Sequence, residues 1–420
     1  MSSAYIIEPV RTKFFTKGVI ALTAVAAIGV LSYIYRLIFG LGAATNLTNQ
    51  YPWGIWIAID VASGVALAAG GFTTAAVADI FHRERYHALV RPALLTAMLG
   101  YTIVVVGLLA DLGRYYNVWH PMIPTMWQGN SVLFEVGMCV MIYLTVLYIE
   151  FLPIVVERFK GRVNLPGILS RLNSLFESLL DIGDRYLTRF VSLFIIAGVV
   201  LSCLHQSSLG TLMLVAPTKM HPIWNSPISP ILFLLSAICV GFPMVIFESI
   251  LASRSFRRPP EMELLGPLSR YIPLLLGAYL AVRIGDLTIR EVWPYVFENS
   301  LTSLAFFIEI LIGVILPLLL LSQKRIRNSV HWLLTSVTLV ILGIVINRIN
   351  VFLVAYKPLY ADSTYFPSII EIAVTVGLIS VLVLIYRFFV TTFPVLPKPT
   401  EHPGLVRSSA EPPVAHIKGE

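Results

Sequence analysis

Charge is what this chain has least of. Of its 420 residues only 13% are Asp, Glu, Lys or Arg, 57% are hydrophobic, and the mean hydropathy is +0.82. A soluble domain carries about 25% charged residues, so roughly half of what a water-facing surface needs is missing. Soluble enzymes and secreted binding modules are excluded. Cysteine is scarce too: Cys139, Cys203 and Cys239 all lie in apolar runs, with no C-x-x-C pair among them. They cannot ligate an iron–sulfur cluster and need not form disulfides. Histidine is scarce inside the apolar runs. Of His82, His87, His120, His205, His221, His331, His402 and His416, only His205 falls well inside one, whereas a b-type haem needs two histidines at one depth on facing helices. From these residues no haem, metal or covalently bound group is expected.

What the chain has in abundance is apolar runs of membrane-crossing length, about 20 residues at 1.5 Å each. Ten are predicted: Gly18 to Leu41, Trp53 to Phe81, Leu89 to Gly113, Asn130 to Leu152, Phe190 to Val215, Ile228 to Ala252, Pro267 to Ile289, Phe297 to Ser322, Val330 to Val354 and Pro367 to Val390. The first is too long for a signal-peptide core and no A-x-A-like site follows it, so it is expected to be retained. Of the 30 Lys and Arg, 23 fall in the segments that share a side with the two termini, and four on the other side: Arg114, Lys219, Arg290 and Lys357. By the positive-inside rule both termini are expected in the cytoplasm of a multi-pass protein of the inner (cytoplasmic) membrane. The net charge of +7 is thereby a topology signal, and no nucleic-acid partner is implied. Residues 165–187 have the helical spacing of an amphipathic segment lying on the membrane interface. The tail after Pro394 has a disordered composition.

Ionisable groups inside a bilayer are costly and mark candidate function. Asp60, Asp111, Glu135, His205 and Asp286 fall in the outer halves of their spans, with Arg114 and His120 just outside; Glu309 is near mid-depth, and Asp79 and Glu248 near the cytoplasmic ends. The outer loops are aromatic: Tyr51-Pro52-Trp53, Trp119-His120-Pro121, Trp127, His221-Pro222-Ile223-Trp224 and Trp293-Pro294-Tyr295. An internal repeat joins these features. Asp111-Leu112-x-Arg114, Val118-Trp119, Asn130-Ser131 and Glu135 return as Asp286-Leu287-x-x-Arg290, Val292-Trp293, Asn299-Ser300 and Glu309. Such a repeat implies an all-α protein of two four-helix bundles in parallel duplication with two peripheral helices. The corresponding division is a first peripheral span in 1–52, a first bundle in 53–215, a second in 216–354, a last peripheral span in 355–393 and a tail in 394–420.

With Tyr51-Pro52-Trp53-Gly54-Ile55-Trp56-Ile57-Ala58-Ile59-Asp60-Val61 opening the second span and Asp111-Leu112-Gly113-Arg114 closing the third, the chain resembles the NrfD/PsrC-type membrane subunits. Its resemblance is closer to the ten-span branch that includes the membrane subunits of hydrogenase-2 and of the Qrc menaquinone reductase. The resemblance covers nearly the whole chain. It implies no prosthetic group, a quinone bound near the outer face of the first bundle, and electron exchange with an extracytoplasmic ferredoxin-like iron–sulfur subunit, itself joined to a periplasmic catalytic or multihaem cytochrome c subunit. It places Asp60, Asp111 and Arg114, with Glu135 beside them, at the head group of a menaquinone handled as substrate. Tyr115-Tyr116 stand where many relatives have a proline after this motif.

The residues also read without the family. Two-electron quinone chemistry moves protons, so it needs hydrogen-bond donors and a titratable group. Asp60, Glu135 and His205 are candidate donors, and Arg114 can hold Asp111 ionised. Proton uptake from the cytoplasm has two expected routes: Asp60 to Asp79 along the second span, and Asp286, Glu309 and Glu248 in the second bundle. The leading expectation is the quinone-interacting subunit of a menaquinone reductase, not catalytic alone. The alternatives are a secondary transporter, which also uses repeats and intramembrane charges, and a passive anchor for a periplasmic enzyme.

Overall fold

The computed structural model describes residues 7–397 apart from 165, 360 and 362, without the side chains of 167–169 and 188. Among these residues ten helical spans are long and apolar enough to cross a membrane: α1 (Lys17–Phe39), α2 (Trp56–Ile80), α3 (Glu84–Asp111), α4 (Val132–Phe159), α5 (Arg189–Val215), α6 (Ser229–Ser255), α7 (Met262–Ile289), α8 (Leu301–Ser322), α9 (Val330–Val354) and α10 (Ile369–Thr392). Only two isolated bridges, Ile7 with Pro397 and Met220 with Tyr356, interrupt an all-α architecture in the described chain. The physical reason is that hydrocarbon offers backbone groups no partners, so each crossing segment must close its own hydrogen bonds. Where helices end, side chains take over. The Asn-Ser pairs of the repeat are helix starts: Ser131 Oγ accepts from the Phe134 amide at 3.3 Å and Ser300 Oγ from Ser303 at 3.2 Å. At the C-terminus of α3, Arg36 reaches across from α1 and donates to the carbonyls of Ala110 and Leu112.

Packing closes two four-helix rings. α2, α3, α4 and α5 contact one another in sequence and α5 returns to α2; α6, α7, α8 and α9 do the same. The rings meet along α2, α5, α6 and α9, while α1 and α10 pair with each other and dock on α3 and α2. Helices driven together without a hydrophobic effect need close backbone approach, and glycine supplies it at two crossings. Gly29 of α1 faces Gly377 of α10, and Gly313 of α8 faces Gly343 of α9, so closely that a Cβ on either member would overlap the partner's Cα. The chain's two described ends share one face, where the Val10 amide donates to the Val390 carbonyl at 3.0 Å. We call this the terminal face and its opposite the distal face.

Two details differ from expectation. The segment expected to lie flat on the interface instead begins a single 39-residue helix, Asn173–Thr211, that runs on into α5. Its polar side is occupied locally: Glu177 accepts from the Gly161 and Val163 amides, and Lys160 pairs with Asp181 and Asp184. Leu175, Phe176, Leu179 and Ile182 are left outward. Of the tail after Pro394, Val395 is fully buried and Pro397 bridges Ile7; everything beyond it lies outside the described residues.

Candidate functional site

The loop from α3 to α4 folds as three short turns, Tyr115–Asn117, His120–Met122 and Pro124–Met126. It lies over a cavity of about 440 Å³ inside the first ring at the distal face. Trp53, Ile57 and Val61 of α2, Val104 and Leu108 of α3, and Val136 and Val140 of α4 form apolar walls; Arg114, Asn117, His120 and His205 supply the polar groups. A mostly apolar pocket with a few convergent polar groups is the usual form of a small-molecule site. Arg114, Val118 and Leu133 are exposed at its rim, whereas His205, 1% exposed, is its deepest polar group. His205 lies ten residues, about 15 Å, along α5 from the distal end at Val215.

His205 is held by one contact and open at the other. Its Nδ1 meets the Tyr101 hydroxyl at 3.1 Å, while Nε2, fully buried, has no partner among the described residues. With the phenol donating to Nδ1, a neutral imidazole carries its proton on Nε2, the atom left for whatever occupies the cavity. Beneath it a polar layer continues. Tyr101 packs edge-on to Tyr143 with ring centroids 4.6 Å apart, and Ser202, buried with a hydroxyl that has no hydrogen-bond partner among the described residues, adjoins both phenols. Tyr143 in turn lines a second cavity of about 180 Å³ on the terminal side, with Asp79, Arg91 and Glu150 in its walls. The two cavities, separated by the tyrosine layer, lie inside one ring.

The other expected site residues lie elsewhere. Asp60 is buried on the opposite side of α2 from the cavity: it accepts from Thr375 Oγ1 of α10 at 2.6 Å and lies against Gly107 of α3. Asp111 has an unpartnered Oδ1, forms no ion pair with Arg114, and has Arg36 and Glu371 as its charged neighbours. Glu135 sits exposed in the first turn of α4, outside the cavity lining. Thus Arg114, His120 and His205 come together, and Asp60, Asp111 and Glu135 do not join them. Glu150 was missed, although a carboxylate inside an apolar run was the signal that singled out the others.

In the second ring the equivalent space is filled. Asp286 and Arg290 make the two-pronged pair that Asp111 and Arg114 do not, at 2.6 and 2.9 Å, and Arg290 also donates to the carbonyls of Pro222, Ile223 and Asn225. Asp286 accepts further from Ser226 Oγ. This clamp holds loop 221–226 in the ring, where Ile223 is fully buried and Trp224 4% exposed. The Trp224 indole donates to Glu309, which also accepts from Asn347 and Asn350. Asp286 and Glu309 are therefore saturated with donors. Glu248 instead lies near the terminal face with an unpartnered Oε1, close to Thr96 and Tyr386.

A family model described as polysulphide reductase, NrfD, matches residues 43–359. The chain belongs to the NrfD family. It is similar to the probable Ni/Fe-hydrogenase 2 b-type cytochrome subunit of Escherichia coli (35% identity, covering 93% of this chain and 95% of the relative). It is similar also to the menaquinone reductase integral membrane subunit of Nitratidesulfovibrio vulgaris (24%; 87% and 88%) and to the Hdr-like menaquinol oxidoreductase integral membrane subunit of Archaeoglobus fulgidus (21%; 90% and 93%). One of these names corrects the expectation of a chain without haem: a relative matching this NrfD protein over nearly its full length is called a b-type cytochrome subunit, which points to haem. The described histidines do not fit an axial pair. His205 and His120 share a cavity but not a depth, His205 lying about 15 Å in and His120 in the distal loop. His82 and His221 lie in loops, and His87 and His331 at helix starts.

Proposed function

We propose that this NrfD protein is the quinone-interacting membrane subunit of a respiratory oxidoreductase, working as a menaquinone reductase. The cavity of the first ring, residues 53–215, takes the quinone, and an iron–sulfur subunit docks on the distal loops. The observation that carries this reading is the unpartnered Nε2 of His205 at the bottom of an apolar cavity whose rim carries Arg114. A quinone has what these groups lack: two carbonyl acceptors on an apolar ring. His205 Nε2–H donates to one carbonyl and Arg114 stabilises negative charge as reduction proceeds. The exposed aromatic and Met side chains above the cavity, Tyr116, Trp119, Met122 and Trp127, suit the partner's docking face. Trp224, buried against Glu309, is withdrawn from it.

Reduction consumes two protons, and the first ring offers a line for them: the cavity of Asp79 and Glu150, then Tyr143, Ser202, Tyr101 and His205. With the termini in the cytoplasm and the protein in the inner membrane, that line begins on the cytoplasmic side. Asp286 and Glu309, each held by several donors, are assigned to architecture. The test is binding and turnover together: a photoactivatable menaquinone analogue should label the cavity and be displaced by menaquinone, and Glu150→Gln should lower the membrane potential built by reconstituted complex more than analogue binding. Analogue binding that is indifferent to both His205 and Arg114 substitutions would remove the assignment.

A further inference from the structure

A separate groove lies on the other side of the molecule, where the peripheral pair meets the second ring. Its cavity of about 340 Å³ is walled by Leu22 of α1, Met244, Phe247 and Leu251 of α6, and Leu382 and Val383 of α10. Leu251 is 41% and Val383 48% exposed, so the wall opens towards acyl chains. At the terminal face the groove ends at Thr16, Gly18, Ser255, Phe256 and Arg387. Arg387 gathers that end: it donates to the backbone carbonyls of Lys13 and Phe14 and lies over the rings of Phe14 and Phe256. Three basic segments thereby converge, bearing Lys13 and Lys17, Arg254 and Arg257, and Arg387. No Asp or Glu occurs in residues 9–59, 249–260 or 372–400. Glu248, the one carboxylate in the lining, sits seven residues, about 10 Å, deeper along α6.

From this juxtaposition we infer that the groove between α1, α6 and α10 is a binding site for an anionic phospholipid, one acyl chain lying along Leu22, Phe247 and Val383 and the phosphate among Lys13, Lys17 and Arg257. Charge complementarity selects the occupant. The apolar wall alone would take any membrane lipid, but a cluster of cations at the depth where head groups lie, with Glu248 deeper in the groove and Glu261 outside its lining, favours a negative one. A neutral quinone head gains nothing there. The lipid also bridges elements that otherwise meet mainly through α1 and α10 themselves, tying the peripheral pair to the second ring.

The full-length chain, purified in mild detergent with any subunits that accompany it and then delipidated, is titrated with phosphatidylglycerol and phosphatidylcholine of identical chains and read by native mass spectrometry. A photoactivatable phosphatidylglycerol maps the position. Each near-surface cation favours an anionic lipid by about fivefold. With Lys13, Lys17 and Arg257 around the phosphate, phosphatidylglycerol should therefore bind roughly 125-fold more tightly than phosphatidylcholine and label 244–251 and 382–384, and the Lys13→Gln/Lys17→Gln variant should cut that preference about 25-fold, to the roughly fivefold that Arg257 leaves. Val383→Trp, which fills the groove without altering charge, should remove labelling while the protein stays folded. Equal affinity for both lipids, labelling elsewhere, an unaltered preference in the lysine variant, or displacement by an equimolar menaquinone analogue would each overturn the assignment.

Discussion

Replacing His205 by Gln and by Phe separates the two things the residue is proposed to do. Glutamine can still accept from Tyr101 and donate into the cavity, but it cannot carry a proton between pH 4 and 9. If His205 passes a proton to the quinone, His205→Gln should lower kcat about 10²-fold, roughly 2.7 kcal/mol of transition-state stabilisation. KM should stay within about threefold. Phenylalanine removes the hydrogen bond as well, so KM should rise about tenfold, the value of one net hydrogen bond of about 1.4 kcal/mol. It also strands the Tyr101 hydroxyl, which His205 Nδ1 meets at 3.1 Å; leaving that donor unpaired costs about 1–3 kcal/mol of stability. The glutamine variant should not show that loss in a thermal melt. The assay is steady-state turnover of the intact complex with a menaquinone analogue, reported as kcat and KM separately. A glutamine variant with wild-type kcat, together with a phenylalanine variant with wild-type KM, would refute the placement of quinone against Nε2.

Other expectations rest on the same geometry. Asp60→Asn, on a residue that bonds Thr375 rather than the cavity, should alter quinone KM by less than about threefold in the same assay. Arg290→Gln takes from buried Asp286 its two-pronged partner, leaving it Ser226 and the 3.5 Å contact with Arg283, and leaves three loop carbonyls unbonded, so it should destabilise by about 1–3 kcal/mol in chemical denaturation, whereas Arg114→Gln should leave stability unchanged and weaken analogue binding. Burial pushes the Glu261 carboxyl up to about 7 against the opposing pull of Arg258. A carboxyl raised on folding holds its proton more tightly in the native state, so its contribution is full below about pH 4.5 and lost as pH rises to about 7. Glu261→Gln should therefore gain about 1–2 kcal/mol at pH 8, after allowance for partial exposure, and nothing at pH 4; equal melting shifts at both would contradict it. Gly377→Leu places a side chain on Gly29, and limited proteolysis should then release the α1–α10 pair first.

Spans and their order were legible because hydrocarbon thickness fixes length, and length survives in sequence. Which way a side chain points did not survive, and Asp60 shows why. Trp56–Ser63 is wound with five-residue hydrogen-bond spacing, as are Ala76–Ile80, Leu311–Ile315 and Asn350–Val354. Each such stretch adds residues per turn and rotates the next turns of its helix relative to a 3.6-residue extrapolation. Ile57 and Val61 therefore face the cavity and Asp60 turns to α10. Depth was legible for His205, since a lone histidine in an apolar run must find an internal partner. The clamp on loop 221–226 was not, because Arg290 acts through backbone carbonyls that no residue pattern announces. The Asp-Leu-x-Arg repeat was visible, but its two copies differ by one residue of spacing, which brings Arg290 to four residues from Asp286 and lets that pair close.

The clamped tryptophan bears on what this scaffold can become. The Asp-Leu-Arg and Asn-Ser motifs occur in both rings, and what makes the second one solid is a six-residue loop fastened by the Arg290 guanidinium, by Ser226 on Asp286 and by Trp224 on Glu309. Shortening that loop, with Glu309 and Asp286 neutralised together so that neither is left charged and alone, would open a second chamber at the height of the first. A protein with one distal cavity would then present two, side by side across the α2–α9 seam, and the closed ring is best regarded as a blank already cut to the pattern of its neighbour.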